Sequence, residues 1–230
     1  MNERLIINKK NKSALVVVQD QMVESYQNGF AEAPWNERSK CLSNACGSFS
    51  SDFPGNACTE CGDELGEAYN AQELVQGWLN VLDEDGTIFV TLESDIPVCT
   101  TIVRPTDVNE LYERKYSDVP QMQTWLQELI NGKFVWIEDT YANTAIKEKG
   151  NLRDRKEVLT AIASRYSGLL IATRTIVPAV ISATARDVGQ YTDVFEGISD
   201  VKTPRRDLFR KIGKVPDYRT FLSIDGSQLL

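Results

Sequence analysis

The sequence predicts an α/β chain built on a mixed sheet, with a small cysteine-rich insertion near its start. Three observations carry this. Segments rich in β-branched and aromatic residues alternate with segments of helical period. TIFVTLES (87–94) and PVCTTIVR (97–104) sit so close together that they must form an antiparallel hairpin. KFVWIEDTYA (133–142), a helix and LLIATRTIV (169–177) then follow as strand–helix–strand, the signature of a parallel crossover. A hairpin and a crossover in one chain require a mixed sheet with helices on its faces.

The elements are read in order. Leu5-Ile6-Ile7 is a short opening strand. Ser13 is then the expected cap of a helix carrying Leu15, Val18, Met22 and Tyr26 on one stripe, although ALVVV by itself has strand character. AEAPWNE (31–37) stops that helix at Pro34, and a Gly-, Ser- and Asn-rich loop follows. Leu74, Val75, Trp78, Leu79 and Leu82 recur at helical spacing up to the turn Asp83-Glu84-Asp85-Gly86. After the hairpin, a polar connection leads to a helix with Met122, Trp125, Leu126, Leu129 and Ile130 on one face, closed by Gly132. Strand 133–142 comes next, then the loop NTAIKEKGNLRD and a helix with Val158, Leu159, Ile162 and Tyr166 on its apolar side. Beyond the 169–177 strand, PAVISATARDVG (178–189) is a helix, and TDVFEGI and RTFLSID are closing strands.

Composition narrows the function. There are 33 acidic against 25 basic residues, a net charge of −8. Duplex binding draws most of its affinity from neutralised phosphates, so a nucleic-acid partner is disfavoured and a basic substrate favoured. The absence of histidine removes His-based triads and the usual general base. No apolar run is long enough to span a bilayer, and MNERLIINKK lacks the apolar core of a secretory signal. A cytoplasmic location without membrane attachment is therefore expected.

Four of the five cysteines lie in CLSNACGSFSSDFPGNACTECG (41–62), as C-x4-C, eleven residues, then C-x2-C. In a reducing compartment this spacing favours metal over disulfides, and four thiolates with no open position suit a closed, structural zinc. Cys41, Cys46, Cys58 and Cys61 are the expected ligands; iron–sulfur ligation and a disulfide pair are the alternatives. Glycine after Cys46 and after Cys61 suits the tight turns that aim backbone N–H groups at sulfur. Asp52, Glu60, Asp63, Glu64 and Glu67 crowd the flanks, which argues against a nucleic-acid finger and for a staple. Cys99 reads as a small buried hydrophobe.

Element order and three local patterns resemble the GNAT acyl-CoA N-acyltransferase superfamily. FAEAPWNE (30–37) is similar to the F-x-x-x-P-[WY]-x-E stretch that closes the first helix of that family, and AIKEKGNL stands where the family has its pyrophosphate loop. Gly189 stands where the family has its "G-F" glycine. The resemblance implies one GNAT-like domain over 1–230, with a zinc-ribbon insertion at 38–66. It implies acetyl-CoA, or another acyl-CoA, as co-substrate. The resemblance places that molecule along Thr140, Tyr141 and Ala142 and at the loop residues Lys147, Glu148, Lys149, Gly150, Asn151 and Leu152. It also implies an amine acceptor, of a small molecule or a peptide. Two departures stand out. Leu152 replaces the last small residue of the loop, and Ala185 stands where the family has a tyrosine that protonates the leaving thiolate, for which Tyr191 is the substitute.

An amine must lose a proton to attack a thioester, and without histidine a carboxylate must take it. Glu138 and Asp139 are the candidates; as neighbours on a strand they face opposite sides, so only one can line the cleft. Trp35 and Trp136 are either pocket walls or core, Arg104-Pro105 bounds a pocket or starts a loop, and the basic residues 205–214 are either a phosphate site or a solvated face. The leading expectation is an acyl-CoA-dependent N-acyltransferase with a zinc-ribbon insertion. A catalytically degenerate, zinc-stabilised binding or adaptor protein on the same scaffold is the alternative, which Leu152 and Ala185 favour. Oligomeric state is not specified by any feature of the chain.

Overall fold

The structure is a computed structural model, and it describes residues 3–31, 35–117, 120–143, 153–175, 192–193 and 220–229. Its elements are β1 (Glu3–Asn8), α1 (Leu15–Ala31), β2 (Ser39–Cys41), β3 (Phe49–Ser50), β4 (Leu65–Glu67), α2 (Ala71–Asp83), β5 (Thr87–Glu93) and β6 (Ile96–Asp107). They continue with α3 (Val108–Lys115), α4 (Pro120–Leu129), β7 (Lys133–Ala142), α5 (Arg153–Arg165), β8 (Leu170–Thr175), β9 (Thr192–Asp193) and β10 (Thr220–Asp225). The large sheet runs β1-β5-β6-β7-β8-β10-β9, and a three-stranded sheet runs β3-β2-β4. The expected α/β class with a mixed sheet is what the chain adopts: β1 pairs with β5 antiparallel, β7 with β8 parallel, and β8 with β10 antiparallel.

Two compact units divide the chain, and β6 and β7 each run through both. The first holds residues 1–102, 139–151 and 209–214. Its core gathers Ile7, Leu15, Val18, Met22, Tyr26, Trp78, Leu82, Ile88, Val90, Ile102 and Tyr141. The stretch LVVV (15–18) is helical because Leu15 and Val18 are buried in this core, beside Ala14 of the preceding turn, while Val16 and Val17 stay 68% and 82% exposed, a spacing of three that no strand can present. The helix starts differently from expectation. Ser13 lies within a 3-10 turn (Lys9–Ala14), and Asn8 caps that turn, its side chain accepting from Lys10 N at 2.9 Å while its own N–H donates to Asn11 Oδ1 at 2.8 Å. The β5–β6 hairpin turns at Ser94 and Asp95, both left-handed (φ 51° and 64°), the two-residue geometry that matches strand twist. Across β6 and β7, Thr140 Oγ1 meets Thr101 Oγ1 at 3.3 Å and Asn143 N donates to Val98 O at 3.1 Å. One number rises as the other falls, so this pair is antiparallel.

The second unit holds residues 103–138, 152–208 and 215–230. Val108, Leu111, Tyr116, Leu126, Ile130, Phe134, Trp136 and Ala172 form its core. Here the expected polar connection is corrected: it contains α3, capped by Asp107, whose carboxylate accepts from Glu110 N at 3.0 Å. Only Val108 and Leu111 of α3 are buried, too few to leave a helical period in the sequence. Among the described residues no helix is long and apolar enough to cross a membrane. The expected 178–189 helix and the basic residues 205–214 lie outside the described residues.

Candidate functional site

Two sites emerge from the folding of particular segments. The first is the cysteine cluster. The expectation of plain loop between the cysteine pairs is corrected by the small sheet, in which Cys41 of β2 lies opposite Leu65 of β4 and Lys40 opposite Phe49 of β3. Cys46 and Gly47 turn back on Ser43 O, at 3.0 and 2.9 Å, and Gly62 N donates to Cys58 O at 2.8 Å. Gly47 and Gly62 hold positive φ (55° and 85°), as tight knuckles require. The four sulfur atoms lie within 4.8 Å of one another, with Cys41–Cys61 at 3.4 Å and Cys46–Cys58 at 3.8 Å. A tetrahedral ion with bonds of about 2.3 Å needs sulfur–sulfur edges of about 3.8 Å, so the donor set fits one metal ion. No disulfide is formed, and Cys99 is buried in β6, as expected for a small hydrophobe.

The thiols divide their protons unevenly. The Ser48 hydroxyl and the Glu60 backbone hold Cys58 down to about 6, while burial pushes Cys41 up. Four thiolates this close repel one another, and a cation between them removes the conflict.

The second site is β7. Its parallel register with β8 covers only Phe134↔Leu170, Val135↔Ile171 and Trp136↔Ala172 among the described residues. β7 continues to Ala142, and β8 to Thr175 on its pairing with β10.

The pleat sorts the acids as expected. Glu138 faces α3, where Lys115 Nζ reaches Oε2 at 2.6 Å and Arg114 Nη1 and Arg104 Nε reach Oε1 at 2.8 and 3.2 Å. Oε1 is held by charge, without an aligned hydrogen bond. Burial works to raise the Glu138 carboxyl, but Lys115, Arg114 and Arg104 together outweigh it and hold the group below the usual carboxylate range. Asp139 faces the other way, beside Tyr26 and Tyr141; burial first, and then the Asp139 charge, push both phenols well up. Tyr141 stacks on Trp78 at 6.5 Å and 17° and meets Tyr26 edge-on at 4.9 Å, so its ring is core and only its backbone is left for a ligand. Thr140 is exposed and Ala142 half-buried. Trp136 is buried in the second unit's core, and Trp35 packs on Phe30 at 5.4 Å.

No family model matches the chain, and no curated protein matches it. Solved structures do match. An agmatine N-acetyltransferase in its apo form superposes with TM-score 0.55 at 11% identity, covering 98% of this chain and 100% of that one. Arylalkylamine N-acetyltransferase 2 from Aedes aegypti gives 0.53 at 13%, covering 97% and 98%. The AHL synthase LasI gives 0.50 at 10%, covering 98% and 90%. The chain has the GNAT fold.

Within that fold, the structure brings together the four cysteines and sets Glu138, Asp139, Thr140, Tyr141 and Ala142 along one strand. Lys147, Glu148, Lys149, Gly150, Asn151, Leu152 and Tyr191, with Ala185 and Gly189, lie outside the described residues. Two groups were not legible beforehand. Arg114 and Lys115 sit on the unexpected α3; the D-x-x-E pattern at 107–110 was their one signal. Tyr69, whose hydroxyl donates to the buried Glu37 carboxylate, had none, because the partners are 32 residues apart.

Two outcomes are expected. The purified chain should carry one zinc, and Cys58→Ser should lose it, measured by elemental analysis against protein concentration; unchanged stoichiometry would remove Cys58 from the ligand set. Glu138→Gln leaves three cations without their carboxylate, which should cost about 3 kcal/mol in denaturant unfolding near neutral pH. A carboxyl lowered by folding stabilises above its unfolded value, about 4.3, and that stability is lost as pH falls through the folded value. Wild type should therefore weaken in acid below about pH 4, and Glu138→Gln should lack that limb of the stability profile.

Proposed function

We propose that this chain is an acyl-CoA-dependent N-acyltransferase, moving an acetyl group to the primary amine of a small molecule or peptide. The observation that carries the reading is the GNAT fold itself, with β7 paired in parallel to β8 at its centre. In a GNAT fold an extended pantetheine arm is held by backbone-like hydrogen bonds to the edge of a strand, here β7. In this reading Thr140, Tyr141 and Ala142 contribute that edge. Lys147, Glu148, Lys149, Gly150, Asn151 and Leu152 receive the pyrophosphate ahead of α5, where the helix dipole favours an anion.

The amine nitrogen attacks the thioester carbonyl while both molecules are bound, and a backbone N–H of β7 stabilises the oxyanion. The carbon–sulfur bond then breaks. The proton leaving the nitrogen goes to a carboxylate. Glu138 is ill suited, because three cations lower its basicity, and a base works best with its pKa near the operating pH. Asp139, on the face shared with Tyr26 and Tyr141, is the assigned base. Tyr191 supplies the proton that the leaving thiolate takes. The four cysteines hold zinc as a closed staple, and 38–66 is an insertion within a single GNAT-like domain over 1–230.

Isothermal titration tests this. Acetyl-CoA is expected to bind at one site per chain, and Gly150→Trp, which fills the loop, is expected to abolish the heat while leaving the far-UV spectrum unchanged. Absence of binding to the wild type at millimolar ligand would contradict the assignment.

A further inference from the structure

The first strand of the chain is also the last in its sheet. β1 pairs with β5 along its whole length, from Glu3↔Leu92 to Asn8↔Thr87, and among the described residues no strand lies on its other side. A row of unpaired backbone groups on such an edge is a template for another strand. Charges flank the segment at Glu3, Arg4, Lys9 and Lys10, but Leu5-Ile6-Ile7 has high strand propensity and no proline interrupts it. Ile6 is 36% exposed.

One side chain closes this edge. Asn11 Nδ2 donates to Ile6 O at 2.9 Å, and Asn11 Oδ1 accepts from Asn8 N at 2.8 Å. In a strand, the N–H and C=O of one residue point to the same side, and successive residues alternate. Ile6 O and Asn8 N therefore belong to the outer edge, together with Ile6 N–H, while Leu5 and Ile7 turn theirs to β5. The Asn11 amide offers a donor and an acceptor side by side, as a peptide unit of a neighbouring strand would.

The turn that carries Asn11 aims it backwards. Its backbone (φ −128°, ψ 31°) breaks the 3-10 turn of Lys9–Ala14. That turn is anchored to the end of α2, where Lys9 Nζ donates to Asp83 O at 3.0 Å and Lys12 Nζ to Asp83 Oδ1 at 2.8 Å. A reciprocal cap accounts for the bond between Asn8 and Asn11. It does not account for the bond to Ile6 O, which lies on the strand, outside the turn.

Two copies have few ways to pair through this edge. Set antiparallel about Ile6, each Ile6 would exchange both hydrogen bonds with Ile6 of the second copy, and Asn8 N would donate to Arg4 O of the second copy. Leu5 then faces Ile7 across the join, and Glu3 faces Lys9, opposite charges in cross-strand positions. Pairing about Leu5 or Ile7 also requires Ile6 O, and pairing about Arg4 sets arginine against arginine. The favourable register needs Ile6 O and Asn8 N, the two groups that Asn11 occupies.

We propose that the outer edge of β1 is a pairing surface for a second copy of this chain, held shut by the Asn11 side chain. This latch is independent of the reaction the chain performs.

Sedimentation of the full chain tests it, with amide exchange as the local readout. Asn11→Ala should form a species of twice the wild-type mass as concentration rises, and wild type should not double. The Asn8 amide, bonded to Asn11 in the wild type, should exchange several-fold faster in dilute Asn11→Ala, and the Ile6 amide should become protected in the doubled species. Adding Glu3→Lys, at an exposed position, should weaken the association several-fold, because it sets like charges across the join. Unchanged mass in Asn11→Ala while the Asn8 amide exchanges faster would overturn the pairing surface. Wild-type exchange of the Asn8 amide in Asn11→Ala, or doubling of the wild type with its Ile6 amide protected, would overturn the latch. Species larger than twice the mass, or an association that Glu3→Lys leaves unchanged, would overturn the register about Ile6.

Discussion

The pleat of β7 is the constraint on which the rest depends. Phe134 and Trp136 enter one core and Glu138 meets the cations of Arg104, Arg114 and Lys115 on the same side, while Tyr141 enters the other core and Asp139 lies beside it. Because side chains alternate strictly, a slip of one residue would exchange these sets. It would put the Tyr141 ring among three cations and leave Glu138 against the buried Tyr26 phenol. The ion cluster and the aromatic packing therefore fix one register together. Three cations keep the Glu138 carboxylate ionised and weakly basic, and Asp139 lies on the other face.

Much of this was legible in the sequence, and the exceptions share a cause. β7 and α2 were readable from period and propensity because each buries a continuous stripe or alternation. The four cysteines were readable because metal geometry restricts spacing. Helix α3 was not, since two buried residues make no period, and the cap at Asp107 was its sole local mark. The strands β2, β3 and β4 are three, two and three residues long, shorter than any alternation can reveal. The Glu138 cluster escaped because its cations come from β6 and α3, so only the fold converts Arg104, Arg114 and Lys115 into neighbours of one acid. The run ALVVV shows the reverse case, where a β-branched triplet is overruled by the tertiary demand that Leu15 and Val18 share a face.

The cysteine ribbon gains a second meaning from its neighbours. As a sequence it is a staple; in the fold its loop closes one side of a cavity whose other side is built on α1. Gly66 in β4 shows how tight the ribbon packing is, since a Cβ there would meet Leu42 Cδ2 at 2.5 Å. The ribbon's own core is small, with Cys41, Cys58 and Leu65 buried and Cys46 packed against them.

The central claim, direct acyl transfer between two bound molecules, is tested most directly by initial rates of thiol release at crossed concentrations of acetyl-CoA and phenethylamine. Attack without a covalent enzyme intermediate predicts double-reciprocal lines that intersect. Parallel lines, which mark an acylated enzyme, or an absence of amine-dependent thiol release, would contradict it.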